Sequence, residues 1–94
     1  MEDPAAVKHD AVGKQFVVVQ EGSEARLQYR ESPGVIDFFH TFVPEPLRGR
    51  GLAERLCQAA FEYAKSRQLK VIPSCSYVSG AYLKRHPEYV SLTK

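Results

Sequence analysis

Val43-Pro44-Glu45-Pro46-Leu47-Arg48-Gly49-Arg50-Gly51-Leu52-Ala53-Glu54 is the stretch at which the sequence changes its period. Before it, Val35 to Val43 reads as a strand, apolar on both faces except at Asp37, His40 and Thr41. After it, Leu52 to about Ser66 is helical. At 100° per residue Leu52, Leu56, Cys57, Ala59, Ala60, Tyr63 and Ala64 fall on one arc. Glu54, Arg55, Gln58, Glu62, Lys65 and Ser66 fall on the other. Beyond the helix, Leu69-Lys70-Val71-Ile72 is a short strand ending at Pro73. Strand, helix and strand form a β-α-β unit, whose two strands are expected as parallel neighbours with a right-handed crossover.

The loop itself carries chemistry. The first turn of a helix has backbone N–H groups with no intrahelical partner, and the helix dipole favours an anion there. Gly49 and Gly51 let the backbone approach a phosphate closely, and Arg48 and Arg50 add positive charge. A diphosphate suits such a loop. The spacing is neither that of a P-loop nor that of a dinucleotide fingerprint. On the residues alone, a plain Gly-rich turn with solvated arginines is an equal reading.

Toward the N-terminus, Gln15–Gln20 and Ala25–Arg30 read as strands joined by a turn at Glu21-Gly22-Ser23. Ser32-Pro33-Gly34 turns the chain into Val35–Val43, giving an antiparallel three-strand meander. Val7–Asp10 can begin a further strand, with Ala11–Lys14 as a turn, and residues 1–6 read as a loose tail. Toward the C-terminus, Ser76–His86 reads as a helix stopped by Pro87. The fold class is therefore α+β in layers, in a single domain over residues 1–94.

The chain has 94 residues, 13 basic and 11 acidic, for a net charge of +2. That balance is too mild to argue for nucleic acid, and no aromatic-basic strand motif supports an RNA-binding reading. No apolar run approaches the ~20 residues of a membrane span, and the start lacks the features of a signal peptide. The cytoplasm is the expected location. Cys57 and Cys75 make neither a disulfide framework nor a zinc spacing, so no metal is expected. Free thiols fit a reducing compartment.

Arg48-x-x-Gly51-x-Ala53, following a Val-Pro strand end and opening a helix, resembles the acyl-CoA pyrophosphate motif of the GNAT superfamily of acetyltransferases. The resemblance implies that backbone N–H groups of Arg48, Gly49, Arg50, Gly51, Leu52 and Ala53 hold the pyrophosphate of acetyl-CoA as co-substrate. It also implies that strands Val35–Val43 and Leu69–Ile72 splay to admit the pantetheine arm. His40-Thr41-Phe42-Val43-Pro44 with Pro73-Ser74-Cys75-Ser76-Tyr77 resembles a small GNAT-like subfamily of about this length. There, a strand His and a Cys after the next strand are candidate active-site residues. The helices and final strands that shape the acceptor site in longer members have no counterpart in this pattern.

Acyl transfer to an amine needs a base, an oxyanion donor and an acid. His40 is the candidate base, placed by strand alternation on one face with Ile36, Phe38 and Phe42, with a structural histidine as the alternative. Val43, at the strand end, is the candidate N–H donor. Cys75, at the expected start of the last helix, is a candidate acetyl carrier or a small buried residue. The resemblance also implies a tyrosine acid on the last helix; Tyr77 and Tyr82 both lie in that region, with plain packing as the alternative for either. Lys84-Arg85-His86 is a solvated helix end or a contact for the 3′-phosphate of the coenzyme. The expected activity is transfer of acetyl from acetyl-CoA to an amine of unnamed kind, in a monomer or dimer; the alternative is a non-catalytic CoA-binding module.

Overall fold

The computed structural model describes residues 6–94. Five strands form one sheet in the order β1-β2-β3-β4-β5: β1 Lys8–Asp10, β2 Gln15–Gln20, β3 Ser23–Ser32, β4 Val35–Phe42 and β5 Lys70–Ile72. The first four are antiparallel, and β4 and β5 are parallel neighbours through Val35↔Lys70, Ile36↔Val71 and Asp37↔Ile72. The meander thus has four strands where the pattern gave three, because Val7–Asp10 does contribute an edge strand. Its turn is set locally: the Gly13 N–H donates to Asp10 Oδ1 at 2.9 Å. The tail reading of residues 1–5 lies outside the described residues.

Helix α1, Leu52–Ser66, packs its buried residues Leu52, Leu56, Cys57, Ala60, Phe61 and Ala64 on one face of the sheet. Phe61 meets Phe38 of β4 edge-on at 5.3 Å between ring centroids. The last helix, α2, has two parts: a widely wound stretch Tyr77–Tyr82, followed by the α-helical turn Leu83–Arg85. In it the Leu83 N–H reaches back five residues to Val78 O. The wide turn brings Val78, Tyr82 and Leu83 together into the core. Pro87 ends α2, but the chain winds on in 3-10 turns over Pro87–Leu92, and Tyr89 stacks on Phe61 at 5.1 Å. The Lys94 N–H donates to Val71 O at 2.9 Å, which covers the outer edge of β5.

One irregularity in β4 corrects the sequence reading. Tyr29 pairs with Phe38 but Gln28 pairs with His40, so Phe39 is an extra residue on β4. Up to the bulge, Ile36 and Phe38 point into the core; after it, Thr41 points inward, while His40 and Phe42 are exposed. His40 therefore does not share a face with Ile36 and Phe38, as simple alternation predicts. It shares the outer face with Phe42, and Arg26 sits over the Phe42 ring at 5.1 Å.

Candidate active site

The loop between β4 and α1 is anchored from below by Leu47, which is fully buried. Pro44 and Pro46 fix a 3-10 turn over Glu45–Leu47, and that turn drives Leu47 into the core while Arg48 to Gly51 stay exposed. Leu47 was not singled out in the sequence; its signal is one apolar residue directly after a Pro-Glu-Pro run in a polar loop. Leu47→Ala is expected to cost about 2–5 kcal/mol. The melting temperature should then fall by roughly 4–8 °C per kcal/mol. A calorimetric scan checks this.

Above Leu47 the backbone turns through left-handed conformations at Gly49 (φ +81°) and Gly51 (φ +73°). A Cβ at either glycine would meet nothing within 4 Å. The glycines are thus required by conformation, and the space above them is open. Gly51 immediately precedes α1, and its carbonyl accepts the Arg55 N–H at 3.2 Å. No side chain caps this helix start. Val43, Leu47, Arg48, Gly49, Gly51, Leu52, Ala53, Glu54, Tyr77 and Arg85 line a cavity of about 210 Å³ here. Every predicted loop residue except Arg50 faces it, and Val43 joins them from the end of β4.

The two arginines have separate jobs. Arg48 Nε donates to Val43 O at 3.1 Å, tying the loop back to the strand end. Arg50 turns away, donating to Gln20 Oε1 at 3.1 Å and pairing with Glu21 Oε2 at 2.8 Å on the β2–β3 turn. Its side chain braces the loop, so the expected guanidinium charge of Arg50 is spent on the β2–β3 turn and not on the cavity.

Glu54, read in the sequence as a surface residue of α1, enters the cavity wall. It accepts from Arg85 at 3.2 Å and is joined to His86 Nε2 at 2.6 Å. The His86 hydrogen bond, aided by the charges of His86 and Arg85, holds its carboxyl below the usual range against the opposing effect of burial. Of the two candidate acids, Tyr77 lines the cavity and Tyr82 is buried, stacked on Phe61 at 5.4 Å. Burial pushes the Tyr77 phenol up, as does the Tyr82 site for its own phenol.

Parallel pairing of β4 and β5 ends at Asp37 and Ile72. Beyond it one further bond ties the chain to β4: the Cys75 N–H donates to Phe38 O at 2.9 Å. The Cys75 sulfur lies 3.4 Å from Thr41 Oγ1. Desolvation is the largest single influence on this thiol and pushes it up. The Thr41 hydroxyl and the backbone N–H groups of Val78, Tyr77 and Thr41 together outweigh it, so the thiol sits below its ordinary value. Cys57 is wholly buried in α1, and desolvation pushes its thiol far up. His40 makes no hydrogen bond or ion pair with Cys75 among the described residues. Among those residues, too, no group of three or more metal-ligating side chains gathers, and no helix is long and apolar enough to cross a membrane.

A glycine cradle at the start of a helix, set beside a parting of two parallel strands, defines the GNAT class of acyltransferase fold. The chain belongs to the GCN5-related N-acetyltransferase family, whose model matches residues 15–92. Among similar proteins is Protein NATD1 of Homo sapiens, 34% identical over 87 residues, covering 89% of this chain and 76% of that protein. Protein NATD1 of Danio rerio is 35% identical over 89 residues, covering 89% and 80%. The NMR solution structure of a GCN5-like protein from Staphylococcus aureus superposes with a TM-score of 0.74 at 26% identity. It covers 99% of this chain and 91% of the other.

Proposed function

We propose that the protein transfers the acetyl group of acetyl-CoA to an amine. In this reading the coenzyme pyrophosphate rests on the amides of residues 48–53, and its thioester lies at the parting of β4 and β5. The observation that carries the reading is the pair of left-handed glycines under open space at an uncapped helix start. A cradle that any side chain would fill fits a diphosphate held by backbone N–H groups. Arg85, on the cavity wall, exchanges its Glu54 partner for the further phosphate in this reading. The chemistry needs no metal, and the setting is the cytoplasm.

The transfer runs in two halves. The Cys75 thiolate attacks the acetyl carbonyl; a bond from carbon to the Cys75 sulfur forms, and the bond to the coenzyme sulfur breaks. The departing thiolate takes a proton from Tyr77, whose phenol burial keeps in the acid form, and the proton that His40 later collects returns to Tyr77 through solvent. A neutral amine then attacks the Cys75 thioester from the outer face, and the thiolate leaves as the carbon–nitrogen bond forms. His40, exposed on that face, takes the ammonium proton. The Val43 N–H, at the free end of β4, is the oxyanion donor.

Titration calorimetry with CoA, followed by a turnover assay over a panel of amines, tests the reading. Heat without turnover leaves the binding-module alternative; no heat removes both. His40→Gln should lower kcat/KM by less than the ~10²–10⁴ of an enclosed base, because water reaches this face. Coenzyme affinity should be unchanged. Equal turnover across pH removes His40 from the mechanism.

A further inference from the structure

Thr41 stands at the parting of the strands for a reason that alternation along β4 conceals. Without the extra residue at Phe39, Thr41 would face outward. The bulge turns it inward, where its hydroxyl meets the Cys75 sulfur at 3.4 Å. Cys75 is tied to β4 twice: its sulfur to the Thr41 hydroxyl at 3.4 Å and its N–H to Phe38 O at 2.9 Å. The Cys75 carbonyl accepts the Ser79 N–H at 3.0 Å, so Cys75 is the residue that opens the helical chain into α2. Its sulfur therefore spans the gap between strand and helix.

We propose that Thr41 is a positioning residue for acyl transfer, fixing the Cys75 sulfur at the parting of β4 and β5 through its hydroxyl. This rests on the reading in which Cys75 takes the acetyl group. A hydroxyl suits both states of the sulfur. The thiol donates to Thr41 Oγ1; once the proton is gone, the hydroxyl rotates and donates to the thiolate. A valine of the same shape can do neither, while a serine can do both. The titratable groups beside the sulfur are Cys57 on α1, which burial keeps as a thiol, and Tyr77 on α2, kept protonated in the same way. Neither brings a charge that would hold the thiolate in place of Thr41.

The test is the rate of alkylation of Cys75 by iodoacetamide against pH, read by peptide mass in the wild type, Thr41→Val and Thr41→Ser. Acetyl labelling from acetyl-CoA is measured on the same proteins. Thr41→Val should move the alkylation curve to higher pH and slow the reaction at neutral pH roughly tenfold, the scale of one hydrogen bond to a charged group. Thr41→Ser should follow the wild type. Val is at home in a strand, and both variants retain β-branching or the hydroxyl, so the pair separates lost chemistry from lost shape. Coincident curves for Thr41→Val and wild type, with acetyl labelling intact, overturn the role of Thr41 alone. A Thr41-dependent curve with no acetyl label on the wild type overturns the covalent reading, and the part of Thr41 in transfer with it.

Discussion

Gly51→Val weakens coenzyme A binding by about a hundredfold or more, while Gly34→Val leaves it unchanged. The loss of one or two charge-assisted hydrogen bonds, each worth about 1.5–3 kcal/mol, sets that scale, since ~1.4 kcal/mol is tenfold in affinity. Gly34 is a matched control. Its φ of +76° is close to the +73° of Gly51, and a Cβ at either meets nothing within 4 Å. Both variants thus carry the same left-handed penalty, ~1–2 kcal/mol for a residue with a Cβ. Only the side chain at Gly51 enters the cavity beside α1; Gly34 lies in the β3–β4 turn. Equal melting temperatures with unequal affinities, measured by calorimetry, place the phosphates at residues 48–53. Equal affinities would remove the cradle and the function built on it.

The β-α-β unit and the glycine turn that opens α1 were legible because they rest on local chemistry. The 3.6-residue period of α1, the β-branched runs and the glycines before Leu52 each state their conformation within a few residues. What the sequence hid was set by distant partners. The bulge opposite Gln28–Tyr29 depends on pairing between β3 and β4, and it alone moves His40 outward and Thr41 inward. Arg50 looks like a phosphate ligand until Glu21, 29 residues earlier, claims it. Glu54 looks solvated until Arg85 and His86 reach it from α2 and the residue that ends it. The choice between Tyr77 and Tyr82 turned on the wide winding of α2, which buries Tyr82 and leaves Tyr77 on the cavity wall.

Cys75→Ala abolishes the acetyl adduct and lowers turnover by at least about a thousandfold, as expected for the loss of a covalent nucleophile. Coenzyme affinity should stay within about twofold, because the proposed reading draws it from the amides of residues 48–53 and not from the sulfur. Intact mass after incubation with acetyl-CoA reads the adduct, and calorimetry reads the affinity. The pH dependence adds a sign. Because the folded thiol sits below its ordinary value, its thiolate persists to lower pH than that of a free cysteine. Adduct formation in the wild type should therefore be lost only as pH falls through that lowered value, on the acid side of the profile for free cysteine. The companion variant Cys57→Ala should keep the adduct and lose stability instead, since that residue is wholly buried in α1 and its thiol is held protonated. If Cys75→Ala transfers acetyl at the wild-type rate, the amine attacks the coenzyme thioester directly and Cys75 is only a cap on α2. If neither protein transfers acetyl while both bind CoA, the sulfur marks a module that holds the coenzyme without using it.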